Sequence, residues 1–155
     1  MSKLRRRVSW FFALGWRDKA LVAECIAMLA AARVALRTIQ SRKLLPGAGH
    51  VTPGSGASAP PAAAVRVGAT LEKIAPAMPF RAMCLEKALA GQWMLRRRGI
   101  RTTLFLGMAK EGSTYLAHAW LRCNGATITG DGPVPFTPLA SFGEPASGRR
   151  DPLLE

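Results

Sequence analysis

The dipeptide Asn124-Gly125 most narrows what this chain can fold into. Asn-Gly strongly favours a two-residue type I′ turn, which joins antiparallel strands. If these two residues are the loop, the numbers of paired residues sum to 249, so Cys123 faces Ala126. By the same rule His118 lies opposite Asp131. Directly opposed residues have Cβ atoms about 4.5–5.5 Å apart, so the turn predicts an imidazole beside a carboxylate, provided that the pairing continues that far.

The residues around this turn predict a β-meander. Because side chains alternate along a strand, His118 and Trp120 share one face and Cys123 lies on the other. A metal site that combines Cys123 with His118 therefore fails on geometry. The chain has only two histidines, and we expect neither a metal nor a cofactor. The frequent prolines from Pro133 onwards predict a mostly irregular tail. The expected strands cover residues 102–108, 114–123 and 126–129.

Cys84 begins a long predicted helix that runs from about residue 83 to 98 and ends at a capping glycine, Gly99. A thiol at a helix N-terminus faces the positive end of the helix dipole, which favours the reactive thiolate. Ala88 and Gly91 lie on the same face as Cys84, and their small size lets another backbone approach closely. Such a helix can pack against a sheet and bring Cys84 to the face of that sheet.

These residues together predict the site of a cysteine peptidase. Cys84 is the candidate nucleophile, His118 the general base and Asp131 the acid that orients the imidazole. Taken alone, each has a plainer interpretation, Cys84 as a small buried hydrophobe and His118 as a core histidine. Their combination favours catalysis. Glu86 is assigned instead to the first helical turn, where a carboxylate complements the dipole.

Composition divides the chain into four regions. Residues 1–45 predict helical structure with one apolar stripe. We expect this stripe to pack on its own domain, with docking to another protein as the second interpretation. Residues 46–64, rich in Pro, Gly, Ala and Ser, predict a flexible linker or long loop. Residues 65–142 form the organised core, and residues 143–155 form an irregular tail. The stripe consists of Leu21, Cys25, Met28, Leu29, Ala32, Leu36 and Ile39.

The net charge of +13 favours an acidic partner, so nucleic acid, an anionic membrane and an acidic peptide are all candidates. Arg96-Arg97-Arg98 fall in the last turn of the predicted helix, where cations complement the dipole, so we expect no nucleic-acid site there. We expect a soluble protein. The less favoured alternative is a protein that contacts a membrane peripherally through its basic, aromatic N-terminal segment. Three irregularly spaced cysteines argue against a disulfide framework and predict a reducing, cytoplasmic location.

Four runs of residues carry a family resemblance over roughly residues 65–142. They are Cys84 to Ala90, Leu95 to Ile100, Leu104 to Met108, and Ala117-His118-Ala119-Trp120 with Asn124-Gly125. In these runs the chain resembles the peptidase half of the lasso peptide biosynthesis B protein family. The resemblance implies an α+β fold. Its papain/transglutaminase-like core would have a Cys-bearing helix packed on an antiparallel sheet, preceded by an N-terminal amphipathic helix.

The resemblance also implies a function and partners. The family removes the leader from a ribosomally made precursor peptide, with Cys84, His118 and Asp131 in the positions of nucleophile, base and third member. An asparagine-synthetase-like macrolactam cyclase then joins the released N-terminus to a side-chain carboxylate. The family uses a PqqD-like leader-recognition element. Residues 1–64 show no such pattern, so we expect a separate recognition protein. Arg96 to Arg98, Arg101, Arg122 and the N-terminal Arg5 to Arg7 would steer the acidic leader or its recognition partner.

Two other functions stay open from the sequence. Acyl transfer of the transglutaminase or arylamine acetyltransferase type would use the same Cys-His-Asp site, with an amine in place of water. A non-catalytic basic module that binds RNA or DNA would depend on the charge alone. The small number of exposed-looking aromatic residues in the predicted strands argues against the second alternative.

Overall fold

The computed structural model describes residues 15–39, 48–49, 58–132 and 135–143. Arg5–Arg7, His50 and most of the predicted linker lie outside the described residues. Within these ranges the chain forms three α-helices, a short 3₁₀-helix and five strands. They are α1 (Trp16–Thr38), β1 (Ala48–Gly49), α2 (Ala62–Ile74), the 3₁₀-helix (Ala75–Ala77), α3 (Cys84–Arg96), β2 (Thr103–Glu111), β3 (Thr114–Cys123), β4 (Ala126–Thr129) and β5 (Thr137–Phe142).

The strands form one antiparallel sheet in the order β1-β5-β2-β3-β4. The helices pack against it, so the expected α+β class, with a Cys-bearing helix on an antiparallel sheet, is confirmed. The β2–β3–β4 meander is also confirmed. Asn124 has φ of 50° and Gly125 φ of 82°, and positive φ at both central residues is what a type I′ turn requires.

The register of the second hairpin follows the prediction only beside the turn. Cys123 pairs with Ala126, as expected, but Leu121 pairs with Thr129. The sum of the paired numbers therefore rises from 249 to 250 between these two pairs, because β4 contains one extra residue. Such a β-bulge shifts every later partner by one position. Sequence alternation alone gives no sign of it.

β4 ends at Thr129, and the next residue, Gly130, has φ of 82°. The β3–β4 ladder therefore stops before it reaches His118. The prediction that His118 lies directly opposite Asp131 in this ladder is wrong, because the bulge and the turn at Gly130 both intervene between the Asn-Gly loop and Asp131.

The prediction of a mostly irregular tail is wrong for residues 137–142, which form β5 along the free edge of β2. A strand was hard to recognise here, because Pro138 has no N–H to donate to a ladder and interrupts the alternation of polar and apolar residues. The position of Pro138 in the sheet explains why it is tolerated. The β2–β5 register shifts between Leu106 and Gly107, next to the pair of Gly107 with Pro138, and a bulge is one of the few sheet positions that accept proline.

The hydrophobic core lies between the helices and one face of the sheet. Cys25, Leu29 and Ala32 are fully buried, which confirms that the stripe of α1 packs on its own domain, although Ile39 at its end is exposed. From β3 the core takes Ala119, Leu121 and Cys123, the residues predicted to share a face. No helix among the described residues is both long and apolar enough to cross a membrane. Other core residues are Val67, Leu71, Ala88, Leu89, Met94, Leu95 and Leu104.

Two helical glycines set how closely the helices approach the sheet. A Cβ atom on Gly91 of α3 would lie 3.0 Å from Leu121 Cδ2 and 3.2 Å from Leu71 Cδ1. A Cβ atom on Gly68 of α2 would lie 2.2 Å from the backbone oxygen of Ile128 in β4. The atoms nearest to Gly91 belong to side chains, so the close approach of another backbone expected there is instead found at Gly68 of α2.

Ion pairs join α1 to both ends of α3. Arg98 donates from Nη1 and Nη2 to the two carboxylate oxygens of Glu24, at 3.0 and 2.5 Å, and also donates to the carbonyl of Met94. The pKa of Glu24 is lowered, first because of its hydrogen bond with Arg98.

Gly99 has φ of 68°, and the N–H of Ile100 donates to the carbonyl of Leu95. The predicted capping of this helix end is confirmed.

Gly68→Ala should destabilise the fold by about 1–3 kcal/mol, because the added methyl group meets backbone that cannot rotate away. This cost exceeds the gain of about 1 kcal/mol in helix propensity. Urea unfolding at equilibrium measures the change. Val65→Ala is the control on the same helix, since Val65 is half exposed and should shift stability by less than about 0.5 kcal/mol. Wild-type stability for Gly68→Ala would contradict the packing described.

Glu24→Gln should lower the free energy of unfolding at pH 7, because it removes the ion pair with Arg98. The folded-state pKa of Glu24 lies below its ordinary value, so its stabilisation is present above the unfolded-state pKa and is lost as the pH falls through the folded value. The difference between wild type and variant should therefore shrink between pH 7 and about pH 3. A constant difference over this range would contradict the assignment.

Candidate active site

Cys84 is the first residue of α3 and is partly exposed. Its own N–H has no partner within the helix, because the first N–H groups of an α-helix lack one. Glu86 stabilises this helix start. Its Oε2 accepts the N–H of Met83 at 3.0 Å, and its Oε1 pairs with Arg33 of α1 at 2.7 Å. Glu86 is buried, so it does more than complement the helix dipole: it ties the start of α3 to α1.

His118 lies on β3 with its ring held by a backbone carbonyl. Its Nε2 is 2.7 Å from the oxygen of Gly130. A carbonyl oxygen only accepts, so Nε2 carries the hydrogen and Nδ1 has the free lone pair. The residue paired with His118 on β2 is Gly107. A Cβ atom there would lie 2.7 Å from Trp120 Cη2, so a glycine is needed for the aromatic ring to fit.

Aromatic rings surround the imidazole on the outer face of the sheet, the face opposite the helices. The ring centroid of Phe136 lies 4.6 Å from that of His118, and the centroid of Trp120 lies 6.2 Å from it. Trp120 stacks in turn on Phe105 at 5.6 Å. This aromatic packing restricts the rotation of the histidine ring and removes water from one of its sides.

Asp131 stands apart from this arrangement. Its side chain is exposed, and no hydrogen bond or ion pair joins any two of Cys84, His118 and Asp131 within the part of the chain that the structure describes. The structure places the carbonyl of Gly130, not a carboxylate, against Nε2 of His118. The role of Asp131 as the orienting acid stays a prediction.

A polar link that the sequence analysis missed connects the helix of Cys84 to His118. Lys87, one turn after Cys84, pairs with Oε2 of Glu72 at 2.7 Å. Oε1 of Glu72 accepts the N–H of Gly130 at 3.0 Å, and the carbonyl of Gly130 holds His118. Leu121 of β3 packs on α3, and His118 lies on the opposite face of the same strand. The link therefore starts on the helix side of the sheet and ends on the outer face. It crosses from one side to the other at Gly130, directly after the end of β4.

A cleft of about 490 Å³ opens beside the start of α3. Its walls are polar and apolar in similar shares, and Glu72, Arg81 and Lys87 supply the charged groups. The cleft follows the chain from the 3₁₀-helix, which contains Pro76, to the residue before Cys84, and Pro79 lies in the part of this segment that is not helical. Binding sites are commonly concave and mostly apolar with a few polar groups. The remaining lining residues are Ala75, Met78, Phe80, Ala82 and Met83.

The residues that the sequence analysis missed gave weak signals. Glu72 lies in α2, and no local pattern connects it with Gly130, 58 positions later. Phe136 lies in the proline-rich tail that was expected to be irregular. Gly130 adopts a positive φ, a conformation that favours glycine, but nothing in the neighbouring residues indicates its contact with His118.

Several of the arginines that were expected to steer an acidic peptide are engaged within the protein. Arg97 and Arg98 both approach Glu24, at 3.7 and 2.5 Å. Arg122 donates to the carbonyl of Gly125 and lies over the ring of Phe105. Among the described residues, no three His, Cys, Asp or Glu side chains lie close enough together to hold a metal ion.

A family model described as the transglutaminase-like superfamily matches residues 26–141, well over half of the 155 residues. The match includes most of α1, all of α2 and α3, and the sheet almost to its last residue. It therefore contains Cys84, His118 and Asp131. No curated protein and no solved structure matches the chain at a significant level.

Iodoacetamide at neutral pH should modify Cys84 at least about tenfold faster than the other two cysteines, because thiolate fraction and access control the reaction. Burial raises the pKa of Cys25 to about 12 and also raises the pKa of Cys123. Both are almost inaccessible. Peptide mass spectrometry measures the three rates. The control is the chain in guanidinium chloride, where the rates should converge. Equal rates in the folded protein would contradict the assignment.

Proposed function

Because the chain belongs to the transglutaminase-like superfamily, we propose that it is a cysteine peptidase that removes the leader from a ribosomally made precursor in lasso peptide biosynthesis. The observation that carries the proposal is the placement of Cys84 at the first residue of α3, the helix that Lys87, Glu72 and Gly130 connect to the ring of His118. The substrate class comes from the family resemblance. The run from Cys84 to Ala90 and the Ala-His-Ala-Trp run both resemble the lasso peptide biosynthesis B protein family.

In the first step, the thiolate of Cys84 attacks the carbonyl carbon of the scissile peptide bond. A carbon–sulfur bond forms and the carbonyl electrons move to oxygen. The backbone N–H of Cys84 is the natural donor to that oxyanion, because it has no helical partner. As the carbon–nitrogen bond breaks, Nδ1 of the His118 imidazolium gives its proton to the leaving amine, which is the new N-terminus of the core peptide.

In the second step, water hydrolyses the thioester. Nδ1 of His118 takes a proton from the attacking water, the carbon–sulfur bond breaks, and the leader leaves as a carboxylic acid. Catalytic hydrogen bonds in free enzymes are often long and shorten only when substrate binds. The absence of a direct hydrogen bond between Cys84 and His118 in the described structure is compatible with this sequence of events.

The cleft beside Cys84 is the place where we propose that the leader binds next to the scissile bond. Met78, Phe80 and Met83 provide apolar surface there, and methionine adapts to different side chains. A separate PqqD-like protein would present the leader, and an asparagine-synthetase-like cyclase would take the released N-terminus. The three described cysteines are all free, which supports the proposal of a cytoplasmic, reducing location.

Acyl transfer is the second candidate, and the family itself favours it. In that reaction an amine, not water, attacks the thioester, so the leader would end as an amide. The residues and the first step are the same. The two candidates differ in the mass of one product.

Cys84→Ala should abolish leader removal, and His118→Ala should lower its rate by several orders of magnitude. Asp131→Asn should weaken it less, within about tenfold, because Asp131 is exposed and makes no hydrogen bond or ion pair with the histidine in the described part of the chain. Mass spectrometry of a precursor incubated with the enzyme and its partners measures cleavage. Cys123→Ala is the control, since it removes a thiol from the opposite face of β3. Normal cleavage by folded Cys84→Ala would refute the proposal.

The same incubation with a primary amine added separates hydrolysis from transfer. A leader product with a free carboxylate supports the peptidase. A leader product that carries the amine as an amide, in place of the acid, would assign the chain to acyl transfer.

A further inference from the structure

Glu72 provides a carboxylate that hydrogen-bonds to Gly130, the residue whose carbonyl holds His118. It lies near the end of α2, and its Oε1 accepts the N–H of Gly130 at 3.0 Å. The carbonyl of the same glycine accepts from Nε2 of His118 at 2.7 Å. Two hydrogen bonds and one residue therefore separate the carboxylate from the imidazole. Lys87 fixes the other oxygen of Glu72 from the side of α3, at 2.7 Å.

Gly130 is closely packed, so a displacement at its N–H is passed on to its carbonyl. A Cβ atom on this residue would lie 2.5 Å from the oxygen of Ala119 and 2.9 Å from Cα of Trp120. The glycine is thus pressed against β3, next to His118, in a backbone conformation with φ of 82°. Because its N–H and its carbonyl are both engaged, a change in one of the two hydrogen bonds displaces the other.

We propose that Glu72 is a positioning residue for His118. By holding Gly130, it keeps a carbonyl in place that accepts the hydrogen of Nε2, which fixes the tautomer in which Nδ1 is the base. The inference rests on the proposed function, in which His118 acts on Cys84. It assigns to Glu72 and a peptide carbonyl the orienting task that the sequence analysis gave to Asp131.

The energetic argument concerns the amide of Gly130. This residue is buried, so removal of the carboxylate takes away the acceptor of its N–H. That N–H belongs to the peptide between Thr129 and Gly130, whereas the carbonyl that holds His118 belongs to the peptide between Gly130 and Asp131. When the first peptide rotates to give its N–H another acceptor, the φ of Gly130 changes, and the second peptide is displaced together with its carbonyl. Glutamine at position 72 keeps an oxygen for the amide and should retain most of the effect.

The alkylation rate of Cys84 at two pH values tests this without a substrate. At about pH 9.5 most ordinary thiols are deprotonated, so the rate reports access to Cys84. At about pH 6.5 an ordinary thiol is almost entirely protonated, so the rate there reports activation of the thiol by its surroundings, which the proposed function assigns to His118. Glu72→Ala should lower the rate at pH 6.5 by about tenfold and leave the rate at pH 9.5 unchanged, and Glu72→Gln should restore most of the loss.

Asp18→Ala is the matched control. Asp18 pairs with Arg66 of α2, and its side chain is exposed to the same degree as that of Glu72, 43% against 42%. It contacts no part of the link to His118, so its loss should change neither rate. A Glu72→Ala variant that lowers both rates equally acts through access alone and would overturn the inference.

His118→Ala separates this inference from the proposed function. If His118→Ala lowers the rate at pH 6.5 and Glu72→Ala does not, Glu72 has no positioning role, and the Cys84–His118 site stands. If His118→Ala changes neither rate, the proposed catalytic pair fails whatever Glu72 does. A fall in the pH 6.5 rate for both variants, with Asp18→Ala at the wild-type value, supports both proposals.

The nitrogen chemical shifts of the histidine rings give a second test that needs no folded Glu72→Ala protein. The chain has two histidines, and His118→Ala assigns their signals. In the neutral wild-type protein, His118 should carry its hydrogen on Nε2, and Glu72→Gln should preserve that tautomer. A hydrogen on Nδ1 in the wild type would overturn the proposal.

Discussion

The packing of α3 on the inner face of β3 is the contact on which the rest of the structure depends. It is close because Gly91 has no side chain, and Leu121 and Leu71 occupy the space where one would be. A larger residue would push the helix away from the sheet. Cys84 and Lys87 would move with it, since they lie on the same helix. The position of Cys84 is therefore set seven residues away, by a packing contact without chemistry of its own.

This packing also decides how cysteine and histidine can approach each other. Side chains alternate along a strand, so when Leu121 faces α3, His118 faces away from it. Cys84 and His118 can therefore approach each other only around the edge of β3, and not through the sheet. The β3–β4 ladder ends at Leu121, and beyond that point the edge of β3 is free of a paired strand. Glu72 and Gly130 lie at this edge and join the helix side to the ring of His118.

The proline-rich segment after Gly132 has a role that its composition concealed. β5 completes the sheet on the free side of β2, and Phe136, just before it, packs against the imidazole. Two β-bulges make these placements possible, one in β4 and one where β5 pairs with β2. Each adds one residue and so changes which side chains meet. In this domain the bulges, more than the regular ladder, determine the surroundings of His118.

The sequence by itself determined the local elements and the residues that carry chemistry. Alternation, the Asn-Gly turn and the Gly99 cap depend on neighbours within a few positions, so the meander, the faces of β3 and the start of α3 followed from them. The contacts around His118 depended on the tertiary structure. A bulge costs little locally, and the contact of Glu72 with Gly130 joins residues 58 positions apart. Only the packed chain decides which carboxylate lies near His118, because packing, not sequence spacing, brings distant residues together.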